Sequence, residues 1–240
     1  VGVGALLFKV VGNTGFSVLI ALSVYAIVVL AGLLLHLLIT YGAAVRFGAK
    51  LPFLPFLGAI KEALVVAFST SSSSATLPVT KECCEDNLNV NAETTSFVLP
   101  LGATVNMDGT ALYQGVAAIF IAQIYGMDLG FSEQVTIVVS ATLASVGAAG
   151  VPGAGMITLA MVLTAIGVPT EGLALILGVD RILDMFRTAT NVVGDSTATV
   201  LMGRLEGNDL RIMTDAEDTA SPDRGFAGRL DHEQSAVKPD

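Results

Sequence analysis

The chain has 240 residues, 53% hydrophobic and 14% charged, with a mean hydropathy of +0.73; soluble domains carry roughly 25% charged residues, so this composition belongs in a bilayer. The net charge of −9 comes from 21 acidic against 12 basic residues, with no basic patch or interleaved aromatics, which excludes nucleic acid as a partner. Adjacent Cys83 and Cys84 lack any His or second Cys pair at metal spacing and are expected as free thiols.

The chain opens on apolar Val1 to Phe8 with no initiator Met and no cleavable signal, so it is expected to begin inside a helix of a longer protein. Residues 1–50 are expected to hold the end of one transmembrane helix plus one complete helix. That second helix, Phe16 to Ile39, carries no formal charge apart from His36 and is long enough, at about 1.5 Å per residue, to cross a hydrocarbon core of about 30 Å. Arg46 and Lys50 follow it and mark that end as cytoplasmic. His36, alone on an apolar face, is expected to satisfy a neighbouring carbonyl, and the Met and Phe residues to be lipid or core contacts.

The next four hydrophobic segments are each interrupted in the middle. Phe53 to Pro78 carries a Ser/Thr run from Ser69, Phe97 to Tyr125 carries Asn106 to Gly109, and Phe131 to Ile166 carries Gly147 to Gly155 around Pro152. Leu173 to Met202 carries Asp180, Arg181, Asp184, Arg187, Asn191 and Asp195. Backbone freed from a helix inside hydrocarbon costs several kcal/mol per unsatisfied group, so such breaks persist only under cover of protein or a water-filled cavity. The breaks are therefore expected to converge. Pro78 to Tyr113 and Pro152 to Arg187 are both separated by 35 residues, which reads as two copies of one unit, as in inverted-repeat transporters. The expected fold is an all-α membrane protein, an inverted repeat of two re-entrant helical hairpins, each followed by a discontinuous transmembrane helix. Its parts are hairpin one at 51–92, a discontinuous helix at 93–130, hairpin two at 131–170, the last helix at 171–206 and a soluble, disordered tail at 207–240.

At about 100° per residue, Asp180, Asp184, Arg187, Thr188, Asn191 and Asp195 fall in one stripe of roughly 100°. Asp184 and Arg187 have the spacing of a structural ion pair, but three acidic groups and two arginines on one membrane helix exceed what structural pairing needs, and intramembrane charges usually mark substrate or ion pathways. The guanidinium fork of Arg187 suits a substrate's side-chain carboxylate, and Asp184 a substrate ammonium. Asn191 suits an α-carboxylate, and Asp195 a hard cation such as Na⁺. Asn106 to Thr110 suits an unwound turn whose carbonyls face a cation, with Thr110 adding a hydroxyl to the carboxylate held by Arg187; the competing reading is a Gly kink with Asp108 capping the following helix. The Ser run reads either as an ordinary polar loop or as an anion site at a helix N-terminus, and Gly147 to Gly155 either as flexible packing or as a gate.

These residues resemble one family, the dicarboxylate/amino acid:cation symporters, which include animal excitatory glutamate transporters and archaeal aspartate transporters. The resemblance covers residues 1 to 206 and rests on Ser71 to Pro78, Asn106 to Thr110, Gly150 to Gly155, and Asp184 to Asn191 with Val193 to Asp195. It implies a homotrimer in a cell membrane, assembled through upstream helices, with an elevator mechanism gated by the two hairpins. It also implies substrate contacts at Ser72, Ser73, Thr110, Val151, Gly155, Asp184, Arg187, Thr188 and Asn191. One co-transported Na⁺ would use Gly102, Asn106, Asn191 and Asp195; a second Thr104, Ser145, Val146 and Ala148; a third Asn106 and Asp108. Arg187 resembles members that carry acidic substrates, Asp184 those that carry an amino acid rather than a plain dicarboxylate, and Asp195 the sodium-coupled ones. Gln114 stands where animal members have a protonatable Glu. One departure is that the family's further arginine, found at the places of Ser71 or Met185, is absent, with Arg181 a possible substitute. The expected function is Na⁺-coupled uptake of L-aspartate or L-glutamate, not an enzymatic one. The alternatives are a proton-coupled C4-dicarboxylate symporter, an anion channel, and an intramembrane hydrolase built on the Ser run.

Overall fold

The computed structural model describes residues 17–213, and within them every regular element is helical. Helix α1, Ser17–His36, continues through wide π-type turns at Leu37–Tyr41 and Ala44–Ala49 until Lys50 ends it in a left-handed conformation (φ 60°). The apolar run therefore reaches about ten residues past the predicted end at Ile39. Leu19–Ala49 is the one continuous helical stretch among the described residues long and apolar enough to cross a membrane. The expected preceding helix end, residues 1–16, and residues 214–240 of the expected tail lie outside the described residues. Residues 208–213 are laid along the turn before α5: Asn91 N–H donates to the Asn208 side chain at 2.7 Å, and Met213 N–H to the Asn87 carbonyl at 2.9 Å.

The segment predicted as a single interrupted unit from Phe53 is in fact three helices. Helix α2, Phe53–Ala59, meets α3, Lys61–Thr70, at a bend of 64°. The chain then breaks for two residues. Ser71 takes a left-handed conformation (φ 53°) and ends α3, and Ser72 is extended, its hydroxyl accepting from Ala75 N–H at 3.1 Å to cap α4, Ser73–Glu82. This is the physical use of the Ser run: short hydroxyl side chains satisfy helix-end N–H groups that lipid cannot. Helices α3 and α4 lie side by side, and a π-type turn at Cys83–Asn87 follows, where both cysteines are free and buried.

Helix α5, Ala92–Val105, stops at Asn106 and Met107, which leave helical geometry, and α6 begins at once over Asp108–Ile124. Helices α7, Phe131–Val146, and α8, Ala154–Ala165, also lie side by side. The link between them turns on Gly153 at φ +79°, a left-handed conformation that Gly adopts without steric cost. After a 3₁₀ turn, α9 runs unbroken over Leu173–Leu205, about 50 Å at 1.5 Å per residue; of the two discontinuous helices expected only the one at α5–α6 is broken, because the polar groups of α9 are side chains on a continuous helical backbone and do not interrupt it.

Helix α9 touches nearly every other element and is the axis of the fold. One apolar cluster around its first half joins α1, α6, α7 and α8 through residues such as Tyr113, Ile121, Leu159 and Leu183. A second around its other half joins the end of α1, α2 and α3 through Val45, Phe56, Val193 and Val200. Between them runs a buried polar belt, which puts the site midway along the axis.

Candidate substrate and ion site

Asp180, Asp184, Arg187, Thr188, Asn191 and Asp195 are all buried on α9, the stripe expected from helical spacing. Arg187 is only 1% exposed, and a charge so far from water must be paired. Its Nη2 donates to Asp184 Oδ1 at 2.6 Å, Nη1 lies 3.4 Å from Asp180 Oδ1, and its guanidinium carbon sits 3.8 Å from the centre of the Tyr113 ring. The structural ion pair weighed for Asp184 and Arg187 is thus formed here. It is incomplete, because Arg187 Nε and Nη1 donate no hydrogen bond. Asp184 spends its other oxygen on the tip of the α7–α8 link, accepting from Gly153 N–H at 3.0 Å.

The two tips meet in front of this pair. The Gly150 carbonyl accepts from Ser72 Oγ at 2.7 Å and from Ser74 N–H at 3.2 Å. A Cβ added at Gly150 would lie 2.6 Å from Ser74 Oγ and 3.2 Å from the Ala103 carbonyl, so the close approach requires glycine. Behind the joined tips is a cavity of about 20 Å³. Ser71 and Ser73 line it from one tip, Ala148 to Val151 from the other, Met107 and Thr110 from the α5–α6 break, and Asp184, Thr188 and Asn191 from α9. Gly155 also lines it, and a Cβ there would be 3.0 Å from Arg187 Nη1. Of the substrate residues named from sequence, Ser72 and Arg187 lie outside this wall, Ser72 spent on Gly150 and Arg187 behind Asp184.

The residues assigned to cations fall into three places. At the α5–α6 break, Asn106 Nδ2 donates to Asp195 Oδ1 at 3.0 Å and to the Asn191 carbonyl at 3.3 Å, while Asn191 Oδ1 accepts from Gly109 N–H at 2.9 Å and its Nδ2 donates to Thr110 Oγ1 at 3.2 Å. Gly102 faces the same carboxylate, since a Cβ there would stand 2.7 Å from Asp195 Oδ1. Thr104, Ser145, Val146 and Ala148 lie where α5 meets the end of α7; Thr104 and Ser145 bond their hydroxyls back to the carbonyls of Leu101 and Thr142. Asp108 lies apart from both groups, against α1.

Several contacts differ from the sequence reading. His36 meets no carbonyl: its Nε2 lies 2.9 Å from Asp108 Oδ2. Asp108 is the first residue of α6 and Met107 holds the capping position; the Asp108 carboxylate turns to α1 instead, with Oδ2 bonded to His36 and the Tyr41 hydroxyl and Oδ1 unbonded. Met107 is no mere core contact, since its sulfur accepts from Asn191 Nδ2 at 3.2 Å and it lines the cavity. Arg181 is exposed and makes no ion pair among the described residues. Tyr113 entered the sequence reading only as a mark of the 35-residue spacing and Gly153 only within Gly147 to Gly155; neither was given a place in the site, and the Ser74–Gly150 contact was not foreseen. The only signal for Tyr113 was an aromatic one turn after Gly109, and the tip contact had none.

The sequence model of the sodium:dicarboxylate symporter family matches residues 1–205. The chain belongs to the sodium:dicarboxylate symporter family. Relatives include excitatory amino acid transporter 1 of Ambystoma tigrinum, 49% identical over 194 residues that make up 79% of this chain and 35% of the relative. The putative sodium-dependent excitatory amino acid transporter glt-4 of Caenorhabditis elegans is 52% identical over 181 residues, 75% of this chain and 36% of the relative. Excitatory amino acid transporter 4 of Rattus norvegicus is 49% identical over 195 residues, 80% and 34% respectively. The chain spans about a third of the length of these curated relatives. A symporter family works in membranes, and the polar belt of this family member is buried between helices with exposed apolar faces such as Ile20, Leu35, Val138 and Ile157.

Proposed function

We propose that this chain carries the substrate- and ion-binding part of a multi-pass, Na⁺-coupled symporter for an acidic amino acid, L-aspartate or L-glutamate, and that it transports rather than catalyses. The observation that carries the reading is the buried Asp184–Arg187 pair, 2.6 Å apart, behind a small cavity with unused donors on the guanidinium. A ligand with both an ammonium and a side-chain carboxylate can exchange partners with this pair. Its carboxylate takes the Arg187 fork bidentately and its ammonium takes Asp184, so no charge is stranded. A plain dicarboxylate would leave Asp184 without a partner, which disfavours the C4-dicarboxylate alternative. The relatives' names, excitatory amino acid transporters, point the same way.

In this reading Ser72, Ser73, Val151 and Gly155 belong to the two gates, Thr110, Thr188 and Asn191 complete the substrate pocket, and three Na⁺ ions are carried. The first uses Gly102, Asn106, Asn191 and Asp195, the second Thr104, Ser145, Val146 and Ala148, and the third Asn106 and Asp108. The cavity of about 20 Å³ has room for about one water, not for an amino acid, so binding requires a tip to lift for entry, Arg187 to swing aside, and the tips to meet again over the ligand. We assign residues 51–92 and 131–170 to re-entrant hairpins, 93–130 and 171–206 to the polar helices of an inverted repeat, and the whole to the moving part of an elevator in a homotrimer. The test is uptake by the full-length protein in proteoliposomes. Aspartate accumulation driven by an inward Na⁺ gradient is expected; uptake indifferent to that gradient, or driven equally well by a proton gradient with succinate as substrate, would overturn the reading.

A further inference from the structure

We propose that His36 and Tyr41 are positioning residues for the ion path: together they hold one oxygen of Asp108 so that the other is presented, free, to an entering monovalent cation. This rests on the Na⁺-coupled reading above and goes beyond it in assigning the residues on α1.

Asp108 is the first residue of α6, one past the capping position held by Met107, and its carboxylate bonds to none of the helix's own N–H groups. Oδ2 instead accepts from the Tyr41 hydroxyl and faces His36 Nε2 at 2.9 Å, while Oδ1 is buried with no hydrogen-bond partner. A buried carboxylate oxygen without a donor is costly, and the cost is removed by a cation. Hard oxygen ligands of this kind suit Na⁺.

The backbone of α1 is built to bring the two holders together. On an ordinary α-helix, residues five apart stand about 140° apart. Here the turn from Leu37 to Tyr41 is π-type, which widens the winding and carries Tyr41 back toward the face of His36, and such turns recur at functional sites. The two rings consequently meet edge to face at 4.8 Å. Gly194 on α9 makes room: a Cβ there would collide with both the Tyr41 hydroxyl and Asn106 Nδ2. Asn106 in turn donates to Asp195, so the His36–Tyr41 clamp is joined through the break to the neighbouring carboxylate. His36 donates from Nε2 as the neutral Nε2–H tautomer and as imidazolium alike, so the role does not depend on its charge.

The experiment uses full-length protein and follows melting temperature against Na⁺ concentration without substrate, since an ion that binds only the folded state raises it by mass action. Tyr41→Phe and His36→Leu are expected to raise the half-saturating Na⁺ concentration at least tenfold while leaving aspartate affinity at saturating Na⁺ within about twofold. His36→Gln, which keeps an N–H donor, is expected to stay within about threefold of wild type. If all three variants lower the melting temperature at every Na⁺ concentration with no change in half-saturation, the clamp is a structural anchor only and the proposal fails. If His36→Gln behaves like His36→Leu, the donor role fails. Wild-type protein that ignores Na⁺ altogether would instead sink the sodium-coupled reading, and this inference with it.

Discussion

Replacing Gly150 with Ala probes whether the contact between the two tips controls binding. The Gly150 backbone is not in the left-handed region, so alanine is conformationally allowed and the effect is steric. The new methyl would sit 2.6 Å from Ser74 Oγ, 3.1 Å from Ser74 N and 3.2 Å from the Ala103 carbonyl. The first is a side-chain atom that can rotate away, but the other two are backbone and cannot. Overpacking of this kind costs about 1–3 kcal/mol, charged against the closed arrangement alone, because separated tips have no such contact. The closed-to-open ratio should fall roughly 5- to 150-fold, and the apparent affinity for aspartate approaches that loss as the open form comes to dominate. Calorimetric titration of the full-length protein at saturating Na⁺ reads this out. Ser74→Ala on the same background removes the 2.6 Å contact and should recover part of the affinity, with the backbone contacts retaining the rest. Wild-type affinity in Gly150→Ala, or no recovery in the double variant, would show that the tips do not have to meet for substrate to be held.

Two further substitutions separate the substrate part of the belt from its ion part. Arg187→Cys leaves Asp180 and Asp184 buried without their cation, a loss of about 3–5 kcal/mol; aspartate binding should weaken more than a hundredfold and neutral amino acids should begin to bind, whereas unchanged aspartate affinity would remove Arg187 from the site. Gly102→Ala drives a methyl to 2.7 Å from Asp195 Oδ1, turning that carboxylate away from Asn106. The Na⁺ concentration needed for half-maximal aspartate binding should rise at least tenfold, and an unaltered Na⁺ dependence would place the ion elsewhere.

The stripe on α9 was legible because periodicity is a property of one helix: Asp184, Arg187, Asn191 and Asp195 share a face wherever that helix is put. The interruptions at Ser71, Asn106 and Gly153 were legible for a related reason, since short polar residues and glycine are what a helix end in an apolar setting needs. The bend at Ile60 was not: Gly58 lies just before it, but one glycine in an apolar run does not say that the helix turns by 64° there. The same limit hid the pairing of His36 with Asp108, 72 residues away. A lone histidine advertises its need for a partner but not which one, and the π-type turn that carries Tyr41 to the same carboxylate has no composition signature. Arg181 shows the converse: one turn from Met185 on nearly the same face, it nevertheless lies exposed, because the angular position of a residue says nothing of what stands opposite it.

The energetic logic of the belt ties these observations together. Two ionic groups in it are satisfied on one side and left wanting on the other. Arg187 is paired through Nη2 but idle at Nε and Nη1, and Asp108 is held at Oδ2 but bare at Oδ1. A purely structural network would close these vacancies, since a half-satisfied buried network is less stable than an apolar core of the same volume. The open valences have complementary signs, donors at Arg187 for an anion and an acceptor at Asp108 for a cation. Neither charge is favourable alone in a low-dielectric belt, but together they nearly cancel, and Asn191, one turn after Arg187, bonds to Asn106 and to Gly109 on either side of Asp108. On the proposed reading coupling follows from electrostatics: occupancy of the acceptor side by Na⁺ would lower the cost of bringing a net anionic amino acid to the donor side, and reciprocity would require the substrate to tighten Na⁺ by the same factor.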